Sequence, residues 1–588
     1  MKTPWGEALD PSRVLQEYPR PQLRRERYLN LNGLWRYAIT GEDTPPQSFQ
    51  GDILVPFCPE SGLSGVGRTL GPRETLWYQR QVELPPGFVP PGGRLLAHFG
   101  AVDQEAVVWV NGQEAARHLG GYTAFWADIT QEVMGGLREA PEDEARPLTF
   151  SLLVRVHDDT DASWHSRGKQ SSKPGGIWYG PQSGIWQTVW LEAVPERYIT
   201  GLKIVSRAQE KEVTLTVQAN GSGSCRFAME GLALELPVNE AVTFPISQPR
   251  LWSPEDPYLY DFSVTFGQDK VESYFGLRDT QIRTDAKGVK RLFLNGKPYF
   301  HNGLLDQGYW SDGLYTAPSD EALVFDIQTA KDMGFTLLRK HIKVESARWY
   351  YHCDRLGMLV WQDMPNGGGK YRFRVISTPL ITRRHLKDRH YRAFARQDPQ
   401  GRAEYRAELT EMVTQLGNAP SVVLWVPFNE GWGQFDAQAV CRELQALDPS
   451  RPVDHASGWH DQRIGEMKSW HIYFIPYRFK PDRLGRAVVL SEFGGYNLRL
   501  PDHCAGSVDY GYKRLASPQA LWEAYEKLYT GQILPAIPQG LAAAVYTQLS
   551  DVEGELNGLI TYDRKVVKLP VEKVRALNKR LMEAVPEA

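Results

Sequence analysis

Along residues 1 to about 195, apolar and polar positions alternate in short runs broken by Gly, Pro and Asn: LWYQRQVEL, RLLAHFG, AVVWVNG, LTFSLLVRV and QTVWLEAV. A period of two marks strands with one buried face. Many such strands at even spacing predict a jelly-roll β-sandwich over 1–195. Asn111-Gly112, placed directly after Val107–Val110, predicts a tight hairpin. The alternation continues through YITGLKIVSR, EVTLTVQAN, YLYDFSVTF and VESYFGLRD. That stretch predicts a small immunoglobulin-like β-sandwich over 196–281. From about 282 the rhythm changes, and apolar runs alternate with helical patterns. Eight runs are candidate strands: 299–302, 335–339, 358–361, 422–428, 452–456, 469–473, 487–491 and 541–547. Helix-like segments at 319–333, 345–355 and 404–416 lie between them, the first opened by Ser319 with Asp320 and Glu321 in its first turn. This alternation predicts a (β/α)8 TIM barrel over 282–588, and the whole chain a multidomain β plus α/β protein.

Two of the barrel runs end alike. SVVLWVPFNEGWG carries Val422–Phe428 into Asn429-Glu430 and a Gly-rich turn, and AVVLSEFGG carries 487–490 into Ser491-Glu492-Phe493-Gly494. A carboxylate at the C-terminal tip of a barrel strand sits where that fold places its chemistry. Two of them facing across the mouth provide one group for a leaving oxygen and one for a sugar carbon.

Two polar segments have open readings. Residues 163–184, with two Trp and a Tyr among Gly and Lys, are either a mobile loop or a loop that reaches another domain's site, and the clustered aromatics favour the second. The insertion 366–402 holds ten Lys and Arg. It is either a solvated loop or subunit contact, or a lid that brings a cation to the site.

Bulk properties narrow the field. At 588 residues the chain is too long for one core. A net charge of −3 argues against a nucleic-acid partner, and no apolar run approaches a membrane span. The N-terminus lacks a secretion-signal core, so a cytoplasmic location is expected. Five scattered Cys without metal spacing predict free buried thiols. The 18 Trp and 27 Tyr suit both sandwich cores and stacking on sugar rings.

Several ordered motifs together resemble family-2 glycoside hydrolases, the group of β-galactosidases, β-glucuronidases and β-mannosidases. Asn30-Leu31-Asn32-Gly33-Leu34-Trp35, Val55-Pro56-Phe57, Trp77-Tyr78 and Gly184-Ile185-Trp186 are similar to that family's jelly roll. Leu251-Trp252-Ser253-Pro254 and Phe275-Gly276-Leu277-Arg278 resemble its immunoglobulin-like domain, and Leu294-Asn295-Gly296-Lys297-Pro298 the hairpin that opens its barrel. Cys353-Asp354-Arg355-Leu356-Gly357 with Val360-Trp361, Asn429-Glu430, and Ser491-Glu492-Phe493-Gly494 complete the set, the two glutamates 62 positions apart. The resemblance implies a retaining mechanism with Glu430 as general acid/base, its pKa expected to be raised, and Glu492 as nucleophile held ionised by Arg339. It makes Asn429 a donor to the sugar 2-hydroxyl. His341, His471, Tyr473, Asp306, Asp363, Trp361, Trp459 and Asp551 are further substrate-binding candidates.

The chain departs from the family pattern in four places. Ile342 follows Arg339-Lys340-His341 where a His is usual, and the last strand ends Thr547-Gln548-Leu549-Ser550-Asp551 without the customary Trp. Asn557 is followed by Gly558-Leu559 without the Lys that grips a glucuronide carboxylate. Pro365-Asn366-Gly367-Gly368-Gly369 replaces an acidic metal motif, so no metal or other cofactor is expected. The expected substrate is a terminal β-galactoside. A β-glucuronide or a galactofuranoside or arabinofuranoside is the alternative, and a non-catalytic carbohydrate-binding protein is the competing class. A homo-oligomer is expected.

Overall fold

The structure is a computed structural model that describes residues 1–135, 147–382, 384–506 and 509–586. Two antiparallel sheets form the N-terminal sandwich. One orders Tyr28–Asn30, Val189–Val194, Arg94–Phe99 and Phe125–Asp128; the other orders Gly51–Val55, Gly33–Thr40, Thr75–Leu84, Leu148–His157, Glu105–Val110 and Gln113–Leu119. Their inward residues, including Trp35, Tyr78, Val108, Val154 and Leu191, share one core. The Asn-Gly hairpin forms as expected: Val110 pairs with Gln113, and Asn111 and Gly112 take φ of 48° and 81°.

A second sandwich follows. Ile199–Arg207, Glu212–Ala219 and Ala241–Pro245 face Leu232–Pro237, Ser224–Met229, Tyr260–Phe266 and Asp269–Phe275. Val213, Leu215, Phe227, Phe262 and Val264 fill the space between them.

Seven parallel strands build the barrel wall, in the order Val422–Val426, Leu359–Asp363, Leu337–Lys340, His301–Asp306, Leu541–Thr547, Ala487–Gly494 and Met467–Ile472. Every residue of Leu359–Asp363, Val422–Val426 and Ala487–Gly494 is buried, which is why these runs are continuously apolar rather than alternating. The expected strand at 452–456 is not one. Its place is taken by a segment that makes two isolated parallel bridges, Trp425 with Val453 and Asn429 with Ser457. Polar side chains there seek local partners instead: His455 Nε2 receives the Gln462 N–H and lies 3.0 Å from Asp461.

Helices Asp320–Asp332, Ala347–Leu356, Pro399–Leu416, Ala437–Leu447, Pro518–Leu528 and Val571–Glu583 cover the outside. Ser319 caps the first, its hydroxyl accepting from the Ala322 N–H. The hairpin Lys290–Leu294 with Lys297–Pro298 closes the lower end, where Leu292 and Leu294 pack with Leu305, Leu337, Leu359 and Val489. No helix among the described residues is long and apolar enough to cross a membrane. All five cysteines are free, four of them buried.

The N-terminal sandwich is welded to the barrel mouth. Tyr122, Tyr179 and Trp186 from the sandwich share a core with Tyr309, Trp310 and Tyr315. Across the same seam, His165 Nδ1 bonds Glu404 at 2.8 Å and Tyr179 donates to Glu555 at 2.5 Å.

Candidate active site

The fourth strand delivers Asn429 and Glu430 to the mouth, and the segment beyond it holds them there. Glu430 takes a left-handed φ of 53°, unusual for a non-glycine residue, and its N–H donates to the Ser457 carbonyl at 2.9 Å. The twist is what turns the carboxyl inward. Glu492 comes from Ala487–Gly494 on the far side of the mouth. One oxygen of each carboxyl and one His471 nitrogen all lie within 4.8 Å of one another.

Each carboxyl has its own partners. Arg339 Nη1 donates to Glu492 Oε1 at 3.1 Å, and the Tyr473 hydroxyl to Oε2 at 2.5 Å. Arg339 is itself held by a two-pronged bond to Asp363, at 2.9 and 2.8 Å, and by Asn429 Oδ1 at 2.9 Å. Burial disfavours the guanidinium charge, but Asp363 and Glu492 outweigh it, so the group stays cationic. Glu430 has different company. Oε1 lies 2.8 Å from His471 Nδ1, and Oε2 accepts from the Trp432 indole at 3.0 Å. Burial pushes the Glu430 carboxyl up, yet the His471 hydrogen bond and charge and the Trp432 N–H pull harder, and it ends below its ordinary value. The lowering depends on a hydrogen carried by His471 Nδ1; burial alone acts in the direction expected.

Around this pair lies a narrow pocket. Of the expected residues, Asn429, Glu430, Glu492, His341 and Tyr473 line it. Arg339 and His471 sit one layer below, touching the carboxyls. Asp363 lies deeper still, outside the pocket lining, bonded to Arg339 and to His341 Nδ1 at 2.8 Å, so it orients both.

Four expected residues are elsewhere. Asp306 is bound to Lys340 at 2.7 Å and receives the Gly308 N–H at 2.9 Å. Trp361 fills the barrel interior and donates to His301 at 2.9 Å. Asp551 pairs with Lys568 at 2.7 Å and receives the Gly558 N–H. Trp459 packs beside His471, ring centres 6.4 Å apart, outside the pocket lining. Asp306 and Asp551 turn toward a neighbour's charge and Trp361 and Trp459 pack against histidine rings, a choice that position in the chain does not reveal.

The pocket also gains residues that strand reading missed. Lys169, Ile177 and Trp178 come from the sandwich loop 163–184, which does reach the barrel's site. Asn366 and Tyr371 come from the insertion, Trp432 from the turn after Glu430, and Tyr512, Thr547 and Glu555 from the barrel's C-terminal third. Among the described residues the insertion lines the pocket with no cation, and Arg396 is buried and spends its guanidinium on the carbonyls of Gly433, Gly401 and Asn366. Arg383, within the same insertion, lies outside the described residues. Trp178, Tyr371 and Trp432 form an aromatic cluster, with centroids 5.6, 5.2 and 5.0 Å apart. Tyr473 stacks on Tyr512 at 3.7 Å.

A TIM barrel with two facing carboxyls in a pocket walled by aromatic rings defines a glycoside hydrolase. Comparison with known proteins agrees. The model of glycosyl hydrolases family 2 matches residues 198–278, and that of the family 2 TIM barrel domain matches 286–483. Over these two stretches the chain is matched to glycosyl hydrolases family 2. It is 26% identical to a β-glucuronidase of Canis lupus familiaris over 481 residues, covering 74% of this chain and 69% of that protein. It is 24% identical to a β-galactosidase of Thermoanaerobacter pseudethanolicus over 405 residues, covering 64% and 48%. Among solved structures, an uncultured Clostridium sp. β-glucuronidase matches with a TM-score of 0.72 at 18% identity, covering 96% of this chain and 99% of that one. A β-galacturonidase from Eisenbergiella tayi bound to galacturonate matches with a TM-score of 0.66 at 19% identity, covering 96% and 99%.

Proposed function

We propose that the protein is a retaining exo-β-glycosidase in which Glu492 is the nucleophile and Glu430 the general acid/base. The spacing of the two carboxyls carries this reading. An inverting pair stands roughly 6.5–9.5 Å apart to admit a water, whereas a retaining pair is about 5–5.5 Å apart; here one oxygen of each carboxyl lies within 4.8 Å of the other, which suits the closer pair. Glu492, fixed by Arg339 and Tyr473, attacks the anomeric carbon while Glu430 protonates the departing oxygen. A glycosyl ester forms on Glu492, and Glu430, now a carboxylate, takes a proton from the water that cleaves it. Asn429 Oδ1 is occupied by Arg339, which leaves its amide N–H groups to meet the sugar 2-hydroxyl. Trp432, bonded to the acid/base, puts the Trp178–Tyr371–Trp432 cluster on the leaving-group side.

The glycone is a neutral hexose of the β-galactoside type. Three carboxyls, Glu430, Glu492 and Glu555, line the pocket against one ammonium, Lys169. Glu555 is buried and accepts only from Tyr179 and Asn557 among the described residues, which suits it to sugar hydroxyls. A uronate would add a fourth carboxyl. The second reading is a β-uronide, which Lys169 favours: it has no carboxylate partner within 4.0 Å among the described residues. The names of several relatives point the same way. A panel of nitrophenyl β-galactoside, β-glucuronide, β-galacturonide and β-galactofuranoside decides between them. Galactoside turnover abolished by Glu555→Gln supports the first reading. Uronide turnover abolished by Lys169→Met supports the second, and no turnover on any of the four refutes both. Activity is expected to withstand a chelator, and loss in EDTA restored by a divalent ion contradicts the metal-free mechanism.

A further inference from the structure

Behind the two carboxyls runs a buried chain of hydroxyls. His471 Nε2 lies 2.9 Å from Ser457 Oγ; Ser457 donates to Ser491 Oγ at 2.9 Å; Ser491 and Ser469 are 2.5 Å apart. All four residues are buried, Ser457 and Ser491 completely. A hydroxyl has a single hydrogen to give. Ser457 gives its hydrogen to Ser491, whose own hydrogen has Ser469 and the Trp470 carbonyl, 3.4 Å away, to choose from. Ser457 Oγ is therefore left as an acceptor toward His471.

We propose that this serine chain fixes neutral His471 as the Nε2–H tautomer, so that its bare Nδ1 faces Glu430 and keeps the hydrogen of the catalytic acid in place until the leaving oxygen takes it. The inference rests on Glu430 as the acid/base. With one hydrogen between Glu430 Oε1 and His471 Nδ1, the 2.8 Å contact is a strong hydrogen bond whichever atom carries it. When that hydrogen leaves, a carboxylate faces a nitrogen lone pair, and the contact turns repulsive. Free of Ser457, the ring would exchange tautomers, place its hydrogen on Nδ1 and welcome the carboxylate. The chain forbids this, so the proton belongs to the pair rather than to either residue. The downward pull on Glu430 needs a hydrogen on His471 Nδ1, so a bare Nδ1 removes that pull and leaves the carboxyl protonated to a higher pH. The charged and titratable groups around His471 are Glu430, Glu492, Asp363, Asp454 and His341, with Arg339 and Lys169 beyond the carboxyls. Asp454, fully buried past Ser469, favours hydroxyls that point away from His471.

Ser457→Ala tests it. The expected result is an alkaline limb of kcat/KM moved down by about one pH unit, the scale on which a hydrogen bond to one protonation state shifts a titration. The shift appears with a phenyl glycoside, whose departure needs the acid, and is absent with a 2,4-dinitrophenyl glycoside, whose departure does not. Ser457→Thr keeps the hydroxyl and keeps the wild-type limb. Should Ser457→Ala not fold, Ser491→Ala removes the next acceptor and shifts the same limb. An unmoved limb in a folded variant overturns the proposal, as does an equal shift with both substrates. Glu430→Ala with azide separates this from the parent reading: if azide fails to restore dinitrophenyl turnover, it is the acid/base assignment that falls.

Discussion

Arg339 is the residue on which the site's electrostatics turn. It is wholly buried and joins Glu492, Asp363 and Asn429, so one side chain holds the proposed nucleophile and the proposed 2-hydroxyl donor in place. Arg339→Met should lower kcat/KM by about 10²–10³-fold, the scale of losing one fixed charge-stabilising donor. It should also lower stability by roughly 3–5 kcal/mol, because Asp363 is left buried without its counter-charge. Steady-state kinetics and urea unfolding measure the two effects separately. At this scale the sequence was informative where a signature surrounds the residue. Glu430, Glu492, Asn429 and Arg339 were legible because each ends a run with a recognisable context. Asp306 ends its strand, Asp551 follows one and Trp361 lies within one, and Lys340, Lys568 and His301 claim them. Such partners lie 34, 17 and 60 positions away, and no local pattern announces them.

Among the elements, the sandwich loop 163–184 does most to complete a pocket it does not belong to in sequence. Trp178 enters the leaving-group wall and Lys169 the pocket itself. Trp178→Ala should raise KM about 3–10-fold with little change in kcat for the smallest leaving groups. A lost aromatic contact is worth about 0.5–1.5 kcal/mol beyond its buried area. KM measured against leaving groups of increasing size tests this, and a flat series would count against the wall. The loop is anchored by His165, whose pKa is pulled down by burial but driven up to about 10 by hydrogen bonds to Glu105 and Glu404 and by their charges. An unfolded histidine titrates near 6.5. A raised folded value means the stabilisation is full below about pH 6.5 and fades as pH rises toward 10. Thermal unfolding between pH 6 and 10 should show this decline, and His165→Gln should flatten that part of the curve. The loop's composition, Gly and Lys with clustered Trp and Tyr, hinted at a binding role, but its destination was not legible. The fifth barrel position misled for a related reason. The segment 452–456 has the length of a strand, yet His455 and Asp461 find each other and the ladder is never completed on one side.

For the molecule as a whole, period-two runs followed by alternating strands and helices set out three layers of architecture in order, because burial imposes those periods directly on the chain. What they leave unspecified is how the units meet. Here they meet through a shared core: Tyr122, Tyr179 and Trp186 of the sandwich are buried with Tyr309, Trp310 and Tyr315 of the barrel. Fully burying one large apolar side chain contributes roughly 1.5–3 kcal/mol, so separating the units would expose several such contributions at once. A barrel expressed without residues 1–195 should therefore aggregate or unfold, and any folded fraction should lack turnover, since Lys169 and Trp178 leave with the sandwich. A soluble and active barrel fragment would show that the seam is dispensable.

The central claim is that Glu492, not Glu430, bonds to the sugar. Incubating the enzyme with the 2-deoxy-2-fluoro glycoside of whichever panel sugar it turns over, then locating the adduct by peptide mass spectrometry, tests this directly. The account predicts one glycosyl ester, carried by Glu492. A label on Glu430, or an enzyme that turns over the parent glycoside yet never accumulates an adduct, would contradict it.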